Sequence, residues 1–120
     1  MQVLRQEAGS LIYANSSGST ISAGDVIDLT DRVGVVAQDI ADGESGTVFT
    51  AGVFRLPKDT TTFAQGGDVD WDDSESKCSD VGNGDSGDIL HIGKCHKAAA
   101  TGDSYVDVEI NAGVTAELVP

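Results

Sequence analysis

The stretch GNGDSGDILHIGKCH, residues 82–96, holds most of the side chains in this chain that could do covalent or metal chemistry. GDSG (84–87) offers a serine nucleophile in a glycine turn. Both histidines, His91 and His96, follow Ser86, and Cys95 lies beside His96. A nucleophilic serine needs a base and an orienting carboxylate. The trypsin-like arrangement places these before the serine, on two barrels, whereas here both histidines come after it. The alternative G-x-S-x-G elbow requires a strand, a turn and a helix, but DILHIGKCHK after Ser86 reads as a strand. Gly82, Gly84 and Gly87 are accounted for by a surface loop that needs positive φ.

Metal chemistry is the second possibility. His91 and Cys95 are four apart and share a face of a strand. Cys78 could fold back toward them, but no paired C-x-x-C is present. In the acidic run DVDWDDSESKCSD, an EF-hand loop beginning at Asp68 would need Gly at 73 and Glu at 79. The chain has Asp73 and Ser79. A loose calcium site on Asp70, Asp72 and Asp73 competes with a solvated acidic loop. The expectation is therefore no catalytic residue, no metal and no cofactor.

The elements around these residues repeat with period two. In SYVDVEI, Val106, Val108 and Ile110 face one way while Asp107 and Glu109 face the other, as in a half-buried strand. Further strands are expected at 10–14, 26–29, 33–38, 47–56, 68–71 and 89–97. They are separated by the turn clusters NSSGS, AGD, ADGESG, QGGD, GNGDSGD and ATGDS. No window reads as an amphipathic helix, and DTTTFAQ offers one short turn after Pro57. Short strands with frequent turns indicate a single all-β domain, a sandwich or barrel.

A weak internal repeat accompanies this pattern. AGDVIDL near residue 23 parallels GGDVDWD near 66, and VGVVAQDIADGESGTVF (33–49) parallels IGKCHKAAATGDSYVDV (92–108). The second copy is longer, and its extra residues fall between about 73 and 90. Pseudo-repeated hairpin units in one domain are the natural reading. The division is a 1–9 arm, a 10–110 β domain with an insert loop at about 73–89, and a 111–120 tail. Aligning the copies sets Thr47, Phe49 and Ala51 against Val106, Val108 and Ile110. Val48 and Phe54 are then expected to point outward as contact residues, the alternative being a central strand covered on both faces.

Of the 120 residues, 20 are acidic and 7 basic, a net charge of −13. Such a chain repels nucleic acid and anionic lipid, so neither is an expected partner. No run of about 18 apolar residues is present. The start MQVLRQEAGS lacks a signal-peptide h-region, so residence in a cytoplasm, with free Cys78 and Cys95, is the expectation.

The order of the pieces resembles the small capsid decoration, or cement, proteins of tailed bacteriophages. The stretches that carry the resemblance are I-x-A-G-D-V at 21–26, G-V-x-x-x-D-I-x-x-G-x-x-G at 34–46, and G-V-F-x-L-P-K at 52–58. GDVDWD at 67–72, similar to the family's G-D-x-V-x-W-D, and A-A-x-G-D-x-x-V-x-V at 99–108 follow. Single pieces are glycine turns beside strands, and their order and spacing carry the likeness over about residues 10–110. The resemblance implies a β domain on the outside of an assembled, expanded head, stabilising it against internal DNA pressure. It implies the major capsid protein as partner, frequent homotrimers at local threefold positions, and no enzymatic role. The long acidic insert and the tail depart from the pattern. The arm offers Val3, Leu4 and Arg5 as further contacts. A tail or baseplate barrel and a metal-dependent binding module are the alternative readings.

Overall fold

The computed structural model describes residues 9–82 and 84–120. All its regular elements are strands. They are β1 (Ser10–Ala14), β2 (Val26–Asp28), β3 (Val33–Val36), β4 (Ser45–Phe49), β5 (Val53–Pro57), β6 (Asp68–Asp72), β7 (Lys77–Ser79), β8 (Ile89–Lys97), β9 (Tyr105–Ile110) and β10 (Glu117–Leu118). One antiparallel sheet has the order β1-β4-β3-β2. The other has the order β5-β9-β8-β6-β7, with β10 added beside β8. The result is sandwich-like. A single parallel bridge, Lys58 to Cys78, brings the end of β5 against β7, but no closed barrel forms among the described residues.

The two sheets are copies of one plan, β1-β4-β3-β2 corresponding to β5-β9-β8-β6. Several of their connecting bonds match. The bridge Ile21–Ile40 recurs as Phe63–Ala99. Thr50 N donating to Gly9 O recurs as Ile110 N to Gly52 O, and Asn15 N to Glu44 O recurs as Lys58 N to Ser104 O. Gly24 and Gly66 occupy the same turn, with φ of 88° and 83°, a region open to glycine for want of a Cβ. The extra residues of the second copy form β7 and the loop after it.

Asn15 and Lys58 end the two edge strands at equivalent places, and both are buried. The Asn15 amide donates to Ser19 O and Ile40 O, each at 2.8 Å. Lys58 Nζ donates to Asp59 O, Ala100 O and Asp103 O. A buried ammonium is tolerable here because three carbonyl dipoles replace its water.

Hydrophobic burial divides along the first sheet. β3 (VGVV) is buried throughout. Val33 and Val35, with Val26, join the large core that includes Leu56, Trp71, Ile92, Val106 and Val108. Val36 and Val48, on the other face, pack with Ile40 and the partly buried Leu11, Tyr13 and Ile27. The tail, residues 111–120, crosses back over both sheets. Ala116 N donates to Asp31 O of the first sheet's β2–β3 turn, and Val119 N donates to Asp88 O beside β8.

Three expectations are corrected. The single strand 47–56 is two strands in different sheets, because the chain turns at Gly52 with φ of 122°. Val48 does not point outward. It is fully buried (0% exposed), while Phe49 is the exposed neighbour. The register explains the error: Val36 pairs with Val48 as Cys95 pairs with Val108, so Val48 corresponds to Val108 and not to Asp107. From Ala99 to Val108 is nine residues where Ile40 to Val48 is eight, so the second copy gains its extra residue between the Phe63–Ala99 bridge and the paired part of β9. A one-residue slip exchanges the two faces of a strand. Phe54 likewise turns inward, partly buried against the large core.

Candidate functional site

The residues first suspected of chemistry are held apart. The GDSG segment is a loop organised around Asp88, which is buried. The Asp88 carboxylate accepts from Asp73 N at 3.0 Å and Asp85 N at 2.8 Å, and Gly87 N donates to Val119 O. Ser86 is exposed. Its hydroxyl makes no hydrogen bond to a histidine among the described residues. His91 instead lies with Nδ1 3.8 Å from the Asp68 carboxylate. His96 is exposed in the β8 bulge. Ser86→Ala is expected to shift unfolding stability by less than about 0.5 kcal/mol, as surface changes do. Asp88→Ala is expected to cost about 2 kcal/mol, because two loop amides lose a charged acceptor. Urea unfolding of both variants checks this pair, and equal effects would refute the assignment.

The candidate metal ligands are also dispersed. Asp70 is buried and accepts from His91 N at 2.8 Å; burial raises its carboxyl, partly offset by that bond. Asp72 Oδ1 is taken by Ser74 N, Ser74 Oγ and Glu75 N. Cys78 and Cys95 are free and buried. Burial drives the Cys78 thiol far above its ordinary range, with the charge of Asp59 adding to the effect. Such a thiol is not a ready nucleophile or ligand. Among the described residues no three His, Cys, Asp or Glu side chains gather as metal ligands.

A different feature emerges when equivalent faces of the two copies are compared. On the second sheet the face away from the core carries Asp68, Lys94, Glu109 and Val53 in one paired row, and Asp107 with Arg55 in the next. Arg55 and Asp107 form an ion pair at 3.2 Å, and Lys94 pairs with Asp68. It is a solvent face. At the equivalent positions the first sheet has Val26, Val35, Phe49 and Ser10, then Thr47 with Ile12. The same face of the same plan has become apolar.

The large core covers only part of this face. Val26 and Val35, on β2 and β3, are buried. Phe49 on β4 is 37% exposed and Ile12 on β1 is 71% exposed. Ile12 and Phe49 are diagonal neighbours, since Ile12 stands opposite Thr47 and Phe49 opposite Ser10. The Phe49 ring rests on Phe54, with centroids 5.6 Å apart and planes tilted by 30°. This joins the exposed patch to the large core. Neither β1 (SLIYA) nor β4 (SGTVF) carries a charge, in a chain of net charge −13. An uncovered, uncharged apolar face beside such acidity has the character of a contact surface.

Of the expected contact residues, Val48 lies beneath this surface and Phe54 forms its inner edge. Val3, Leu4 and Arg5 lie outside the described residues. Ile12 and Phe49 were missed because their exposure depends on how far one sheet overlaps the other. The available sequence signal was the absence of charge in both SLIYA and SGTVF. A family model described as phage cement protein matches residues 5–110. No curated protein and no solved structure gives a match to the chain.

Proposed function

Since the chain belongs to the phage cement protein family and is a capsid decoration protein, we propose that it seats the uncharged β1–β4 face on the outer surface of the assembled, expanded head. The observation that carries this reading is the contrast between the copies. One plan is built twice, and the face that is ion-paired in the second sheet is apolar and partly uncovered in the first. The capsid partner is then the major capsid protein, met at sites that exist only where shell subunits are correctly placed.

The arm of residues 1–9, with Val3, Leu4 and Arg5, adds to the same contact. Gly9, the last residue of that arm, accepts from Thr50 N, the neighbour of Phe49. Assembly as a homotrimer at local threefold positions makes second and third contacts intramolecular and multiplies a modest affinity. Binding only the intact lattice stabilises each site, by about 2.7 kcal/mol at a hundredfold excess over Kd. Repeated over a head, that resists internal DNA pressure. The role is structural, with no enzymatic step and no nucleic-acid partner. The protein waits in the host cytoplasm until heads expand.

Expanded heads purified without the protein test this. The added protein is expected to bind them and raise their melting temperature, while ignoring free capsid subunits. Replacing both Ile12 and Phe49 by serine is expected to weaken binding about 30-fold, the loss of roughly 2 kcal/mol typical of a central apolar anchor. Deleting residues 2–6 is expected to weaken it further without unfolding the domain. Wild-type binding by the double variant, or equal binding to free subunits, would reject this surface.

A further inference from the structure

We propose that the edge of β1, which no described residue pairs, takes up an added strand, and that the strand is an extended segment of a shell subunit. The two copies supply the argument. Flanking β1, Gly9 and Asn15 are hydrogen-bonded to Thr50 and Glu44, which flank β4. Antiparallel alternation therefore turns the main-chain groups of Leu11 and Tyr13 toward β4. It leaves those of Ser10, Ile12 and Ala14 directed off the sheet. None of these three residues makes any other hydrogen bond among the described residues.

In the second sheet the equivalent edge strand is β5, and its off-sheet positions are Val53, Arg55 and Pro57. Proline lacks the donor, and arginine sets a charge on the edge. These are the usual devices by which proteins prevent unwanted strand pairing. The end of β5 is also covered by the Lys58–Cys78 bridge. The other edges are short: β2 and β7 have three residues each and β10 has two. β1 alone presents five residues with no charge, no proline and no bulge. The same position is proline in one copy and Ala14 in the other.

A second copy of this chain is the weaker occupant. An antiparallel β1–β1 pair has two-fold symmetry and does not fit the threefold assembly proposed above. An isologous β1–β1 pair would also consume both edges in a closed two-fold dimer. A shell segment is not so constrained. Main-chain bonds supply affinity in strand addition, and alternate side chains supply specificity. The fitting segment is extended and neutral or basic, with an apolar residue placed beside the exposed Ile12. This inference rests on the capsid-binding reading above.

Ala14→Pro is the test, with Ala14→Ser as its control. Proline there removes only an off-sheet donor, and Pro57 occupies the equivalent place in the second copy, so the isolated domain is expected to keep its melting temperature. Head affinity is expected to fall at least about tenfold with proline and to stay within about twofold with serine. Hydrogen exchange on wild-type protein reads the same contact directly. The amides of Ser10, Ile12 and Ala14 are expected to exchange freely in solution and to become protected on heads. If the proline variant unfolds, the exchange measurement decides alone. Wild-type head binding with these amides still unprotected would overturn strand addition and leave the capsid-binding reading standing. No binding to heads at all would instead remove that reading, and this inference with it. Protection that appears with rising protein concentration and no heads would assign the edge to a second copy and overturn the shell segment.

Discussion

Gly93→Ala is expected to leave the isolated protein largely unfolded. Gly93 lies in β8, paired with Ile110 on one side and Val69 on the other. A Cβ there would overlap Glu109 O and stand 2.9 Å from Ile110 Cα. Both obstacles are backbone of a central strand. Relief requires β8 and β9 to separate, breaking the middle of the larger sheet. The cost is about 4–5 kcal/mol or more, most of what a small domain possesses. Gly34 is its counterpart in the first copy and provides the control. There a Cβ would meet Leu29 and Val48 side-chain atoms at 3.0–3.2 Å. Side chains shift where backbone cannot, so Gly34→Ala is expected to cost about 1–2 kcal/mol, the scale of modest overpacking. The buried Trp71 gives a fluorescence probe for urea unfolding of both variants. Equal midpoints would show that the β8–β9 approach is not as close as described.

Asn111→Ala is expected to cost about 3–4 kcal/mol. Asn111 joins the two sheets. Its Oδ1 accepts from Val33 N at 2.9 Å, and its Nδ2 donates to Val33 O at 2.9 Å and Thr50 O at 2.8 Å. These bonds tie the end of β9 to the start of β3 and to the crossover between the copies. Each is worth about 1 kcal/mol net. Asn111 also sits at φ of 58°, a left-handed conformation that costs an alanine roughly 1 kcal/mol and glycine very little. Asn111→Gly is therefore expected to be milder than Asn111→Ala by about 1 kcal/mol, losing the bonds but not the conformation. Chemical unfolding of both variants separates the two contributions. If glycine is no better than alanine, the backbone term is absent. If neither differs from the parent, the sheets are held together without this clamp.

Much of the architecture was legible in the sequence because it is local. The alternation in YVDVEI defines β9, and both β1 and β8 occupy the expected spans. The AGD and GGD turns marked the equivalence of the copies to within one residue: the sequence match sets Gly24 against Gly67, whereas the structure sets it against Gly66, which has the same positive φ. GDSG read correctly as a loop because its glycines have that same local meaning. The excess of acid over base is composition, legible before any fold is known.

What only the tertiary structure decided is non-local. The outward face of SGTVF was inverted because the second copy gains one residue between Ala99 and the paired part of β9, and nothing adjacent in sequence records where that extra residue falls. The run 47–56 reads as one strand by pattern, but at Gly52 it changes sheets to bury Leu56 in the larger core. Lys58 and Asn111 look like surface residues by type. They are polar linchpins because carbonyls distant in sequence converge on them. Ile12 and Val26 belong to one apolar face, yet one is exposed and the other buried. The difference is how far the first sheet slides past the second, a quantity set by the packing of whole layers and carried by no residue's neighbours along the chain.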